Sequence, residues 1–212
     1  MEETKESLNT LFEEYFYWIT YTNDCFELYK HLRTSQKNYL KQMNLSPAFF
    51  QLSWSALLHT ALVDLAKFYD KDRQNSLSLR NLLRICEENK SLFRKKYYKN
   101  LSLEMRGAFS NNDINIDEVL RDCAELLESM SENVQKLKEV RDKKLAHSDK
   151  NADDFIFYEN GLTRTIVRLL IGTAANICRK LSVCLTGNDH ACQSSNVFDV
   201  DNLFKKLTEN EK

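Results

Sequence analysis

The sequence predicts an all-α protein, an up-down bundle of four long helices plus short accessory helices. Three observations predict it. Glycine occurs four times and proline once in 212 residues, too few turn-formers to punctuate a many-stranded β protein. Long segments repeat apolar residues at alternating steps of four and three, the helical period. Two of those segments are apolar around most of their circumference, as central helices are.

The first helix runs from about Lys5 to Met43. Its seam is Leu8, Phe12, Tyr15, Ile19, Thr22, Phe26 and Tyr29. A hesitation is expected near ITYTND, where β-branched and Asx residues weaken a helix. The second helix begins in NLSPAFF, with Ser46 as the expected N-cap and Pro47 at the first helical position. From Phe50 to Tyr69 it is apolar nearly all round. A polar loop, YDKDRQNS, leads to a short third helix from about Ser78 to Glu88. The connection LFRKKYYKNLSLEMRGAFSNNDIN follows.

The fourth helix is expected from about Asp117 to His147. Asn115 is its candidate cap, and Asp117 and Glu118 suit its positive end. Its seam is Ile116, Leu120, Cys123, Leu127, Met130, Val134 and Leu137, and the next position in the series holds Arg141. The fifth helix spans about Leu162 to Thr186, with Gly187 placed to terminate it. DNLFKKL forms a short amphipathic helix after the tether GNDHACQSSN. The expected organisation is a bundle over 1–188 and a tether with its helix over 189–212.

Composition narrows the function classes. The net charge of −1 excludes the broad basic field of a protein that coats nucleic acid, so any such contact is local. No run of about 18 apolar residues predicts a membrane span. The start, MEETKESLNT, is unlike a signal peptide. Six cysteines without a CxxC pair read as reduced thiols of a cytoplasmic protein. Asp189, His190 and Cys192 include metal-ligand types, but no second cluster stands at zinc-site spacing. No metal and no cofactor is expected.

The segment VRDKKLAHSD, Val140 to Asp149, is the strongest chemical signal. Cations near a helix C-terminus serve the helix dipole on their own account, and the neighbouring lysines can form a solvated face. Three features argue for more. Arg141 falls on the extended apolar seam, where a charge needs a carboxylate, a partner chain or a phosphate. His147 falls on the stripe beside it. Arginine, a polar residue and histidine together suit phosphodiester cleavage, because imidazole exchanges protons near neutral pH and guanidinium stabilises charge on a phosphoryl centre. RNA brings its own nucleophile, the 2′-hydroxyl.

The set Arg141, Asp142, His147 in RDKKLAH resembles the motif of HEPN domains. The block FFQLSWSALLHTALVDLAKFYDKDRQNSLSLRNLL, Phe49 to Leu83, followed by VRDKKLAHSD, is similar to the AbiU-type abortive-infection branch of that superfamily. The resemblance covers roughly residues 5 to 186. It implies a HEPN-like bundle and a metal-independent endoribonuclease that works as a toxin or antiphage effector, with an antitoxin or another defence protein as partner. It also implies a homodimer whose motifs face one cleft. The geometry agrees: six residues separate Arg141 from His147 by about 9 Å along one helix, and side chains lean toward the N-terminus, so a second copy supplies the nearer partner. The alternative is a catalytically inactive helical dimer that binds a protein or a nucleotide.

Supporting candidates are His59, Asp64 and Asp70, of which the two aspartates can orient His147 or pair with Arg141. FRKKYYKN interleaves Arg94, Lys95, Lys96 and Lys99 with Tyr97 and Tyr98. With Lys143 and Lys144 it is a candidate RNA surface, cations tracking phosphates while bases stack on the rings. Such a run is also an ordinary solvated face.

Overall fold

A computed structural model describes residues 4–71, 76–93, 115–142, 161–187, 189–190, 192 and 199–209. Within them the protein is all-α, with eight helices and no strand. Helix α1 (Lys5–Ser35) starts at a capping box: Thr4 Oγ1 accepts from the Ser7 amide at 3.1 Å, and Ser7 Oγ accepts from the Thr4 amide at 2.9 Å. Every residue of the expected seam from Leu8 to Tyr29 is buried. The helix passes through ITYTND without a break, because Ile19 and Thr22 are fixed in the core.

It does not reach Met43. The backbone turns after Ser35 and restarts as the one-turn helix α2 (Leu40–Met43), which frees Tyr39 to stack on Phe204 with ring centroids 4.6 Å apart. Helix α3 (Pro47–Phe68) has its proline in the first turn. Ser46 is not a side-chain cap, contrary to expectation: its backbone alone takes part, the amide donating to the Met43 carbonyl at 3.2 Å and the carbonyl accepting from the Phe50 amide at 3.3 Å.

Helix α4 (Leu79–Glu88) is capped by Ser78, and a 3₁₀ turn, Lys90–Leu92, follows. The single helix expected over 117–147 is two. Helix α5 (Ile116–Ser129) starts at Asn115, whose Oδ1 accepts from the Asp117 amide at 3.1 Å. It ends at Met130, where φ −88° and ψ 0° interrupt the α geometry. Helix α6 (Ser131–Val140) resumes at once. Past this joint the buried positions are Leu137 and Val140, both fully enclosed. Val140, not position 141, therefore closes the seam, and Arg141 stands at its edge.

Helix α7 (Arg164–Thr186) is capped by Thr163, whose Oγ1 accepts from the Ile166 amide at 3.1 Å. It stops at Gly187, whose φ of +80° is the left-handed conformation glycine adopts without penalty. By length and composition alone α7 is apolar enough to cross a membrane, which the sequence reading did not foresee. In this fold most of that stretch is buried as core. Helix α8 (Asp199–Glu209) completes the set.

Helix α1 lies between α3 and α7, antiparallel to both. Arg33 sits over the ring of Trp54 near the start of α3, while Tyr15 donates to the Ser78 carbonyl at 2.8 Å beyond its end. Likewise Glu27 pairs with Arg168, and Phe16 meets His190 past the end of α7. Helix α5 packs on α4 and α7, and α6 on α3 and α7. One continuous core joins these elements. A second, smaller core of Leu32, Met43, Phe50 and Phe204 fastens α8 to the opposite end.

Five of the six thiols are buried and all six are free. Burial pushes Cys123 and Cys184 up to about 12, so they remain protonated and inert.

Candidate functional site around Arg141 and Asp70

Helix α3 ends with Phe68, and Tyr69 follows as its cap. The buried Tyr69 hydroxyl donates to the Leu170 carbonyl of α7 at 2.6 Å, which pins the end of α3 to the bundle's central helix. The Asp70 amide donates back to the Lys67 carbonyl at 3.2 Å. Its carboxylate is therefore held at a fixed place beside α6.

Arg141 meets it there. Nη1 donates to Asp70 Oδ1 at 3.1 Å and to Oδ2 at 3.2 Å, and Nε donates to Asp142 Oδ1 at 2.7 Å. Among the described residues no acceptor is placed on Nη2. The Arg141 side chain is 27% exposed, so the guanidinium is anchored through Nη1 and Nε and keeps partial contact with water. Lys138, one turn earlier on the same face, brings Nζ to 3.5 Å from Asp70 Oδ1.

The backbone changes character at this point. Arg141 and Asp142 lie in a π-type turn at the end of α6, a rare geometry that is frequent at functional sites. Hydrogen bonding to Asp142, then to Asp70, holds the guanidinium charged more firmly still, against the opposing effect of partial burial. The same bond from Arg141 keeps the Asp142 carboxyl below the usual carboxylate range. Two cations and two carboxylates alternate here, so the cluster is near neutral and ordered by its own pairing.

Of the sequence candidates, the structure brings together Arg141, Asp142 and Asp70. Asp64 goes elsewhere: it is buried and accepts from Lys67 Nζ at 2.7 Å. His59 is exposed on the outer side of α3, eleven residues before Asp70 and so about 16 Å along the chain direction. Asp189 is taken by Arg179 at 2.9 Å. His147 lies outside the described residues, as do Arg94, Lys95, Lys96, Tyr97, Tyr98, Lys99, Lys143 and Lys144. Lys138 is the contributor that sequence reasoning left among solvated lysines. Its signal was the spacing of three from Arg141, which places both on one helix face. No group of three or more His, Cys, Asp or Glu side chains among the described residues is placed to hold a metal ion.

An all-α fold whose sequence carries Arg141, Asp142 and His147, starting where α6 ends, points to a class, the HEPN domain. The AbiU2 family model of HEPN domains matches residues 1–210. The chain belongs to that family and is thereby related to abortive-infection proteins. No curated protein and no solved structure is matched by the chain.

Proposed function

We propose that the protein is a cytoplasmic, metal-independent endoribonuclease that acts as a toxin or antiphage effector, with Arg141, Asp142 and His147 as its catalytic set at a dimer cleft. The observation that carries this reading is the anchored Arg141. Its Nη1 and Nε are fixed by Asp70 and Asp142, and no described acceptor meets Nη2. A pre-positioned guanidinium is what stabilises charge on a phosphoryl group without reorganising at the moment of reaction.

In the proposed reaction one imidazole takes the proton of the RNA 2′-hydroxyl. The 2′-oxygen attacks the adjacent phosphorus, the bond to the 5′-oxygen breaks, and a second imidazole returns a proton to that leaving oxygen. The products are a 2′,3′-cyclic phosphate and a 5′-hydroxyl, and no electron is exchanged. The step needs a base and an acid together, while the motif has a single histidine, His147. A second copy of the chain supplies the other.

The outer face of α3 supports such a pairing. Phe49 and Leu52 on that face, and Leu45 in the turn before the helix, are 59%, 71% and 65% exposed. Exposed Ala56 extends the stripe toward the end of α3 that carries Asp70. A contiguous apolar patch of this kind marks an interface more often than bare surface. The test is cleavage of single-stranded RNA by purified wild type and by His147→Ala, with product ends identified. Cleavage that persists in the variant rejects the catalytic set.

A second reading, a non-catalytic binding module, is favoured by the ion pairs of Arg141 with two carboxylates. It gains if the folded wild-type dimer cuts no RNA.

A further inference from the structure

A second feature lies on the other side of the molecule's long helix, away from Arg141. Glu13, Phe16, Tyr17, Tyr21 and Asp24 share one outward face of α1, since they recur at helical spacing. His190 closes the far side, its ring 4.9 Å from that of Phe16. Together they line a groove of about 400 Å³. Tyr17 and Tyr21 are exposed and nearly parallel, with centroids 6.4 Å apart and planes inclined by 9°. Trp18 stands edge-on to both, at 5.3 Å and 5.8 Å, and so fixes their orientation.

The groove is acidic as well as aromatic. No lysine or arginine is among its described lining residues. Glu13 accepts one bond, from Asn9 Nδ2 at 3.1 Å. Asp24 Oδ1 is buried with no hydrogen-bond partner among the described residues. A cation against the groove face would offset the desolvation of that carboxylate. Aromatic faces carry negative potential and attract cations. Rings and carboxylates therefore ask for the same kind of ligand.

Its shape follows from the spacing. Glu13 and Asp24 are eleven residues apart, about 16 Å along one helix. They are too far apart to share one metal ion, whose oxygen ligands lie within about 2.6 Å of it. An extended organic polycation with charge at both ends spans them, its intervening chain lying over the tyrosines.

We propose that this groove binds an extended organic polycation, with its terminal charges at Glu13 and Asp24 and its intervening chain across Tyr17 and Tyr21. The chemistry is shared by a free polyamine and by two spaced basic side chains of a partner protein. The proposal is independent of ribonuclease activity.

The experiment is titration calorimetry on the full chain with spermine, with a short peptide carrying two spaced arginines, and with butylamine as the single-charge control. Spermine or the peptide is expected to bind about tenfold or more tightly than butylamine, because two linked contacts act together. Tyr17→Ala is expected to weaken binding by about threefold or more, the effect of losing one cation–π face. Glu13→Gln and Asp24→Asn should each weaken it by a similar factor, about threefold, as paired charges near a surface do. Binding of spermine alone assigns the site to a free polyamine, and binding of the peptide alone assigns it to a partner chain. No binding of either at millimolar concentration overturns the proposal. So does binding that all three variants, checked for folding by circular dichroism, leave unchanged.

Discussion

Arg141 and Asp70 are 71 residues apart in the chain and 3.1 Å apart in space. The contact joins the end of α6 to the residue just beyond α3, and it fixes the guanidinium that the motif needs. Both side chains keep partial contact with water, so the pair resembles a surface salt bridge in energy more than a buried one. A double-mutant cycle of Asp70→Ala and Arg141→Ala in urea unfolding should therefore give a coupling of about 1 kcal/mol or less. Under the ribonuclease reading, Asp70→Asn has a larger effect on cleavage than on stability, because it loosens a positioned charge. Equal cleavage by Asp70→Asn and wild type removes Asp70 from the positioning role.

His147→Ala separates chemistry from folding. Loss of a general acid or base typically lowers the rate by about 10² to 10⁴. Single-turnover RNA cleavage is the measurement, with circular dichroism showing that the variant folds. A rate within twofold of wild type contradicts the assignment.

The absence of a metal requirement is a third expected outcome. The proposed step uses only imidazole, guanidinium and the RNA 2′-hydroxyl. Cleavage should be unchanged in excess chelator. Activity lost to chelator and restored by a divalent cation rejects that route.

The helical seams were legible in the sequence because burial imposes their period. The residues from Leu8 to Tyr29 step by four and three and are all buried. The side-chain cap at Asn115 and the glycine stop at Gly187 were legible too, whereas Ser46, also expected as a cap, does not act as one. The joint at Met130 was not. The seam runs across it without a missed step, which masks the local signal: Ser129 and Ser131 flank it, residues that compete with the helix backbone, and Ser129 Oγ donates to the Leu126 carbonyl at 2.7 Å. The consequence falls on the site: extrapolating one straight helix places Arg141 in the seam, whereas the bent pair buries Val140 and leaves Arg141 at the rim. The Asp70 contact was legible only as one of three candidates. Sequence spacing says nothing about which carboxylate a loop carries back to a distant helix end. Asp64, the competitor, is occupied by Lys67 at i+3, a local pairing that was available to inspection.

The apolar stripe on α3 gives a fourth prediction. A stable pairing needs about 800 Å² from each partner, and Leu45, Phe49 and Leu52 supply an exposed apolar centre for it. Placing a charge there should separate the copies without harming the fold, because none of the three is in the core. Leu52→Asp is expected to shift sedimentation from dimer to monomer at micromolar concentration. A wild type that is itself monomeric under those conditions speaks against the stripe as a self-interface.

Phe204 offers a test of how the C-terminal helix is held. Its ring is fully buried, stacked on Tyr39 at 4.6 Å and close to Phe50 at 5.7 Å. Leu32 and Met43 complete this small core. One polar tie accompanies it: His31 Nε2 lies 2.8 Å from Asp201 Oδ1. Helix α8 has eleven residues, short enough to be marginal in water without tertiary packing. Its attachment therefore depends chiefly on the fully buried Phe204, with Val200 and Leu207 partly buried against the same core. Phe204→Ala removes a ring whose loss from a core typically costs about 3 to 5 kcal/mol. The global cost is smaller where α8 detaches as a unit, because the variant then loses only the docking free energy. The two cases are distinguishable. In the first, the midpoint of thermal unfolding falls with a single transition. In the second, amide exchange over 199–209 accelerates to the rate of free chain while the exchange of α1 and α7 is unchanged. Leu203→Ala is the control: that side chain is 46% exposed, and its truncation should alter stability by about 0.5 kcal/mol or less. Equal, small effects of the two substitutions on both measurements would show that α8 is not docked through Phe204.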